Sequence, residues 1–169
     1  MDALYARTFS LANLSEDVLG CIDDFFGPLS IQTVSQVIHF AQFRTVTDRS
    51  GMNQYVNPDN IRAKLRMPIL SIHGEDNGLS DVATLALMRK VLRDAGFPYL
   101  NPVDTGADPT ATTQTAGEMR TLIGNIRTQL NDDEGSYMTW RIAGHGHQDC
   151  LIGKQAGTHC AVIRDFLRP

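Results

Sequence analysis

RIAGHGHQDCLIG, residues 141–153, runs from the end of a β-rich segment through a glycine- and histidine-rich turn toward a C-terminal helix. Its counterpart is MPILSIHGEDNGLSD, residues 67–81, where an apolar strand breaks at His73-Gly74 into a polar loop. Two strands that each end in polar side chains and each lead into a helix describe part of an open α/β sheet, whose ligands gather at the carboxyl edge. PILSIH, 68–73, reads as a buried parallel strand, with Pro68 where a strand tolerates it. DVATLALMRKVLRDAG, 81–96, is an amphipathic helix with Asp81 at its start, Arg89, Lys90 and Arg93 near its end and Gly96 just beyond. YMTWRIA, 137–143, has the aromatic and β-branched content of a second strand. GKQAGTHCAVIRDFL, 153–167, closes the chain as a helix expected to pack Ala156, Cys160, Ile163 and Leu167 on the sheet. The fold class is therefore α/β, strand-helix-strand-helix, with parallel strands.

Residues 1–65 hold no strand strong enough to build a sheet and read as a cap or lid. LSEDVLGCIDDFFG, 14–27, is helical, with Ser15 as N-cap and Gly27-Pro28 as a stop. SIQTVSQVIHFAQF, 30–43, is the better helix, capped by Ser30, with Ile31, Val34, Val37, Ile38 and Ala41 on one stripe. His39 beside that stripe reads as a packing or surface histidine. Residues 45–66, rich in Asn, Asp, Gly and Ser, read as a long surface connection. The second unit, 66–169, carries an insertion at 101–135, whose residues 101–117 are poor in large apolar side chains. MRTLIGNIRTQL, 119–130, is a short helix with Leu122, Ile126 and Leu130 on one side.

The chain of 169 residues is 42% hydrophobic and 20% charged, enough to bury one core. A net charge of −4 and a pI near 5.6, with scattered Lys and Arg, argue against a nucleic-acid partner. No apolar run reaches the roughly 20 residues that span a bilayer, and the N-terminus lacks the pattern of a signal peptide, so a soluble, cytoplasmic chain is expected. Cys21, Cys150 and Cys160 form no CxxC pair and read as reduced thiols in or near the core.

Chemistry enters where the two loops meet. A histidine just past a strand end acts as general base when a neighbour accepts its other N–H and holds the tautomer. His147 has that placement, and Glu75, Asp76 and Asn77 are the candidate orienting groups. Strand, G-x-x-acid, helix, strand, G-x-G-H-x-D, helix resembles the last third of the α/β-hydrolase fold, with residues 1–65 placed like its cap. More narrowly, IHGEDNGLSDVAT with GHGHQDCLIGKQA resembles the hydrolase module found alone or joined to glucose/methanol/choline-type flavin oxidoreductases, including cholesterol-oxidase-like proteins.

The resemblance implies a Ser-His-acid mechanism on an ester or lipid-like substrate. It places the family histidine on His147 and the acid, third after Gly74, on Asn77, with Asp76 one residue away as the alternative and Glu75 behind both. It also leaves His145 lining the site and Asp149 and Cys150 fixing the loop. The nucleophile is the departure, because G-x-S-x-G is nowhere in the chain and GPLSI, 27–31, lacks both its glycine spacing and a preceding strand. The expectation is a C-terminal portion of a hydrolase, inactive alone, whose two strands have bare edges awaiting a further chain or domain. No cofactor is required. A flavin would belong to a joined oxidoreductase, since no G-x-G-x-x-G follows a strand here.

Two further classes stand beside this reading. His145, His147, Asp149 and Cys150, with His159-Cys160 beyond, offer imidazole, carboxylate and thiolate ligands for zinc, and approach the H-x-H-x-D-H motif of metallo-β-lactamase-like hydrolases. The missing nucleophile equally fits a non-catalytic interaction module.

Overall fold

The computed structural model describes residues 7–25, 28, 30–101, 113–130 and 134–168. In chain order the elements are α1 (Glu16–Gly20), α2 (Ile31–Phe43), α3 (Pro58–Lys64), β1 (Pro68–Gly74), α4 (Ala83–Asp94), α5 (Ala116–Asn125), β2 (Ser136–Ile142), α6 (Asp149–Ile152) and α7 (Ala156–Leu167). Single 3-10 turns lie at Leu11–Asn13, Ile22–Phe25 and Arg127–Gln129. β1 and β2 pair in parallel, in register from Pro68 opposite Ser136 to Gly74 opposite Ile142. The chain is an α/β protein.

The period of two along each strand sorts its side chains onto two helical layers. Leu70, Ile72, Met138, Trp140 and Ile142 point to one face and meet Met119, Ile123 and Ile126 of the α5 region, Cys150 of α6 and Val162 of α7. Ile69 and Tyr137 point to the other and meet Ile61 of α3, Val91 and Leu92 of α4, and Ala95, Phe97 and Tyr99. Parallel strands leave both faces apolar, so both must be covered. Trp140 and Met138 are fully buried at the centre.

The two edges of the sheet differ. Along the outer edge of β2, Tyr137 N–H donates to Pro98 O and Leu100 N–H to Tyr137 O, both at 2.9 Å, and Gln114 N–H donates to Arg141 O at 3.0 Å. Between them the buried Asn101 amide takes the place of a strand peptide: its Nδ2 donates to Thr139 O at 2.8 Å and its Oδ1 accepts Thr139 N–H at 2.9 Å. The expectation of two bare edges is corrected for β2. For β1 it stands among the described residues, where no main-chain group of Pro68–His73 bonds outside the β1–β2 ladder.

Other expectations shift in detail. Ser15 and Ser30 cap α1 and α2, accepting from Val18 N and Thr33 N. Yet α1 ends at Gly20, before a 3-10 turn, while Gly27 of the proposed stop lies outside the described residues. The stripe of α2 meets no core: Ile31 is 89%, Val37 60% and Ile38 63% exposed. His39 is half-buried and donates Nε2–H to Asp48 O at 3.0 Å. The surface connection contains α3, signalled by Asn57 at the N-cap and Pro58 at the first helical position. α5 starts at a capping box between Thr115 and Glu118 and buries Met119 and Ile123, with Leu122 and Leu130 only partly covered. In α7 the buried side chains are His159 and Val162, whereas Cys160 and Leu167 are exposed. Cys21 is also exposed, so Cys150 alone of the three thiols is buried. Of the insertion, residues 102–112 and 131–133 lie outside the described residues.

Candidate functional site

The parallel register sets the carboxyl ends of β1 and β2 side by side, and two main-chain bonds join the loops that leave them. Glu75 N–H donates to Ile142 O and Asp76 N–H to His145 O, both at 2.8 Å. Gly74 is required there, since a Cβ on it would lie 2.1 Å from Gly146 O.

Residues 7–13 form a strap across both loops. Arg7 O accepts Gly78 N–H at 3.0 Å, and Thr8 O accepts the N–H groups of His147 and Gln148 at 2.8 and 3.1 Å. Asn13 Nδ2 reaches Gly144 O at 2.6 Å and Asp149 Oδ2 at 2.8 Å, while Ser10 N–H donates to Asp149 Oδ1 at 3.3 Å. Asp149 is fully buried and serves as the knot. No sequence signal points to this strap, because most of its bonds come from main-chain groups.

His147 and Asn77, 70 residues apart, meet here, with Nδ1 of the imidazole 3.0 Å from Nδ2 of the amide. Which amide atom faces the ring follows from the rest of the loop. Leu79 N–H and Ser80 N–H both point at the other amide atom, at 3.0 Å each, and only an oxygen accepts two donors. The NH₂ group is thus turned to His147, and Nδ1 must accept. In the neutral imidazole the proton then sits on Nε2. A general base needs the opposite tautomer, and the loss on replacing the acid of a Ser-His-Asp triad by Asn is on the order of 10⁴ in kcat.

The other candidates lie close but are otherwise engaged. Asp76 is exposed and does not bond His147. Glu75 pairs with Arg141 at 2.8 Å, a partner that sequence reading overlooked. His73 is buried at the end of β1. Desolvation holds its imidazole below the usual midpoint, with Arg141 and His147 adding to the effect and Asp81 opposing it.

His145 donates Nδ1–H to Ala143 O at 2.8 Å, and its ring packs edge-on to His159, 4.8 Å between centroids. His159 donates Nδ1–H to Cys150 O at 2.7 Å and stands edge-on to Trp140. Its midpoint is lowered, first by burial. These two histidines line a cavity of about 440 Å³ with Gln114, Glu118 and Thr158. A wider cavity, about 1190 Å³, lies between α2 and residues 47–55, beside Phe40, Arg49 and Tyr55.

The zinc reading is not supported by this geometry. Among the described residues no group of three or more His, Cys, Asp or Glu side chains is placed to hold a metal ion. The Cys150 thiol bonds Gly146 O, and burial pushes its pKa up to about 12. Among the described residues no helix is long and apolar enough to cross a membrane. Protein-family models, curated proteins and solved structures contain no match to this chain.

Proposed function

We propose that this chain is the C-terminal portion of an α/β-hydrolase acting on ester or lipid-like substrates, with residues 1–65 as its cap. It carries the histidine of a Ser-His-acid mechanism but not the nucleophile, and it is inactive alone. The observation that carries this reading is the hydrogen bond between His147 and Asn77, at the carboxyl ends of adjacent parallel strands. That contact stands where a triad places its orienting group, although here the amide donates to Nδ1 instead of accepting from it, and the sheet position is where α/β enzymes place their chemistry. Support also comes from the open edge of β1, where further strands would join. A flavin-dependent glucose/methanol/choline-type oxidoreductase joined to the same protein is the narrower form of the proposal.

The test is hydrolysis of p-nitrophenyl esters by the purified chain and a His147→Ala variant, together with labelling by a fluorophosphonate of proteins that co-purify from the native source. The expected result is no activity above the variant in the chain alone and a labelled serine in the completed assembly. A completed assembly that lacks a labelled serine refutes the reading. A second reading, a non-catalytic interaction module, is favoured by the exposed stripe of α2 and by an amide standing where a carboxylate belongs.

A further inference from the structure

Asn77-Gly78 is the one Asn-Gly pair in the sequence, and the loop surrounds it with the groups that an amide needs in order to exchange its nitrogen. We infer that Asn77 is a modification site: its side-chain amide closes onto the main-chain nitrogen of Gly78 and is hydrolysed to aspartate, which supplies the carboxylate facing His147. That last consequence rests on the hydrolase reading. The modification itself does not.

Four contacts carry the argument. Gly78 has no side chain to block approach of its nitrogen to the Asn77 amide carbon. Its N–H donates to Arg7 O at 3.0 Å, which fixes the position of the attacking nitrogen, and the proton that nitrogen sheds passes to water, since a peptide carbonyl is not a base. The amide oxygen Oδ1 receives Leu79 N–H and Ser80 N–H at 3.0 Å each, and the same two donors hold it when addition turns it into an oxyanion. The leaving nitrogen Nδ2 lies 3.0 Å from His147 Nδ1. Asn77 is half-buried and Gly78 exposed, so water reaches the ring that forms.

The step balances without oxidant or reductant. A bond forms between Gly78 N and Asn77 Cγ, the Cγ–Nδ2 bond breaks, and the proton lost from Gly78 N is, in net, the third hydrogen of the departing ammonia. Water then opens the cyclic imide. Attack at the side-chain carbonyl returns a normal backbone with aspartate at 77, and attack at the main-chain carbonyl gives the isoaspartyl linkage. In aspartate, one oxygen keeps the Leu79 and Ser80 N–H groups. The other takes the place of Nδ2 and accepts Nδ1–H of His147, which moves the basic lone pair to Nε2.

The experiment incubates the folded chain at neutral pH in ¹⁸O-labelled water and follows residue 77 by peptide mass mapping, beside a synthetic peptide of residues 70–85. The expected result is ¹⁸O at residue 77, accumulating in the folded chain at least as fast as in the peptide. Slower conversion in the folded chain than in the peptide overturns the proposal, because the loop then protects the amide. Mass is read without any ester or nucleophile, so this outcome is independent of the hydrolase test.

Discussion

Replacing Asn77 by Asp changes one atom pair in the site and should reverse the tautomer of His147. The carboxylate keeps the two N–H donors of Leu79 and Ser80 on one oxygen and presents the second to Nδ1 at the distance the amide nitrogen now occupies, 3.0 Å. Opposite unit charges at that range on an exposed loop attract by at most about 1 kcal/mol, so the larger effect of the substitution is on which ring nitrogen carries the proton. The assay is ¹⁵N and ¹H NMR of the imidazoles from pH 5 to 9 on freshly purified protein, with His147→Ala for assignment. In the neutral ring the parent should carry the proton on Nε2 and the Asp variant on Nδ1. A proton that stays on Nε2 in the variant refutes the argument that Asn77 governs His147.

Three other perturbations have definite outcomes. Asp149→Ala removes the acceptor for Ser10 and Asn13 and should cost about 2–3 kcal/mol in urea unfolding, with faster amide exchange at His147 and Gln148 as the strap lifts. Trp140→Ala empties the centre of the larger cluster and breaks the bond from Nε1 to Gln114 O, a loss of about 3–5 kcal/mol followed by circular dichroism, since no other tryptophan remains as a probe. His73 and His159 are both held below the ordinary imidazole midpoint by burial, the first facing Arg141, His147 and Asp81, the second His145 and Asp149. The unfolded chain therefore takes up protons that the folded one resists, and stability present at neutral pH is lost as pH falls below about 6.5. Urea midpoints that stay level from pH 8 to 5 contradict this, and His159→Gln should flatten part of the slope.

Both strands and α4 were legible because short apolar runs ending in polar loops, and a helix with charges matched to its dipole, are local patterns. α3 is absent from the sequence reading, although Asn57-Pro58 signals its start, because the polar residues around it mask the single buried position, Ile61. The phase of α7 was misread because His159 was counted as a polar candidate. Its ring is a core element once Nδ1–H is satisfied by Cys150 O. Two loops after two strands pointed to the meeting of His147 with this loop. The choice of Asn77 over Asp76 depends on a turn in which Oδ1 captures two main-chain donors, and that geometry has no periodic signature. The strap and the closure of β2 are farther still from sequence, being main-chain bonds and a lone side chain acting between distant segments.

That closure gives the sheet a direction. With Asn101 imitating a peptide beside Thr139, nothing can add next to β2 without displacing a buried amide, whereas β1 accepts a neighbour at no such cost. Among the described residues growth is therefore one-sided: two copies that met along β1 would each consume the other's open row, so association through the described sheet would end at a pair.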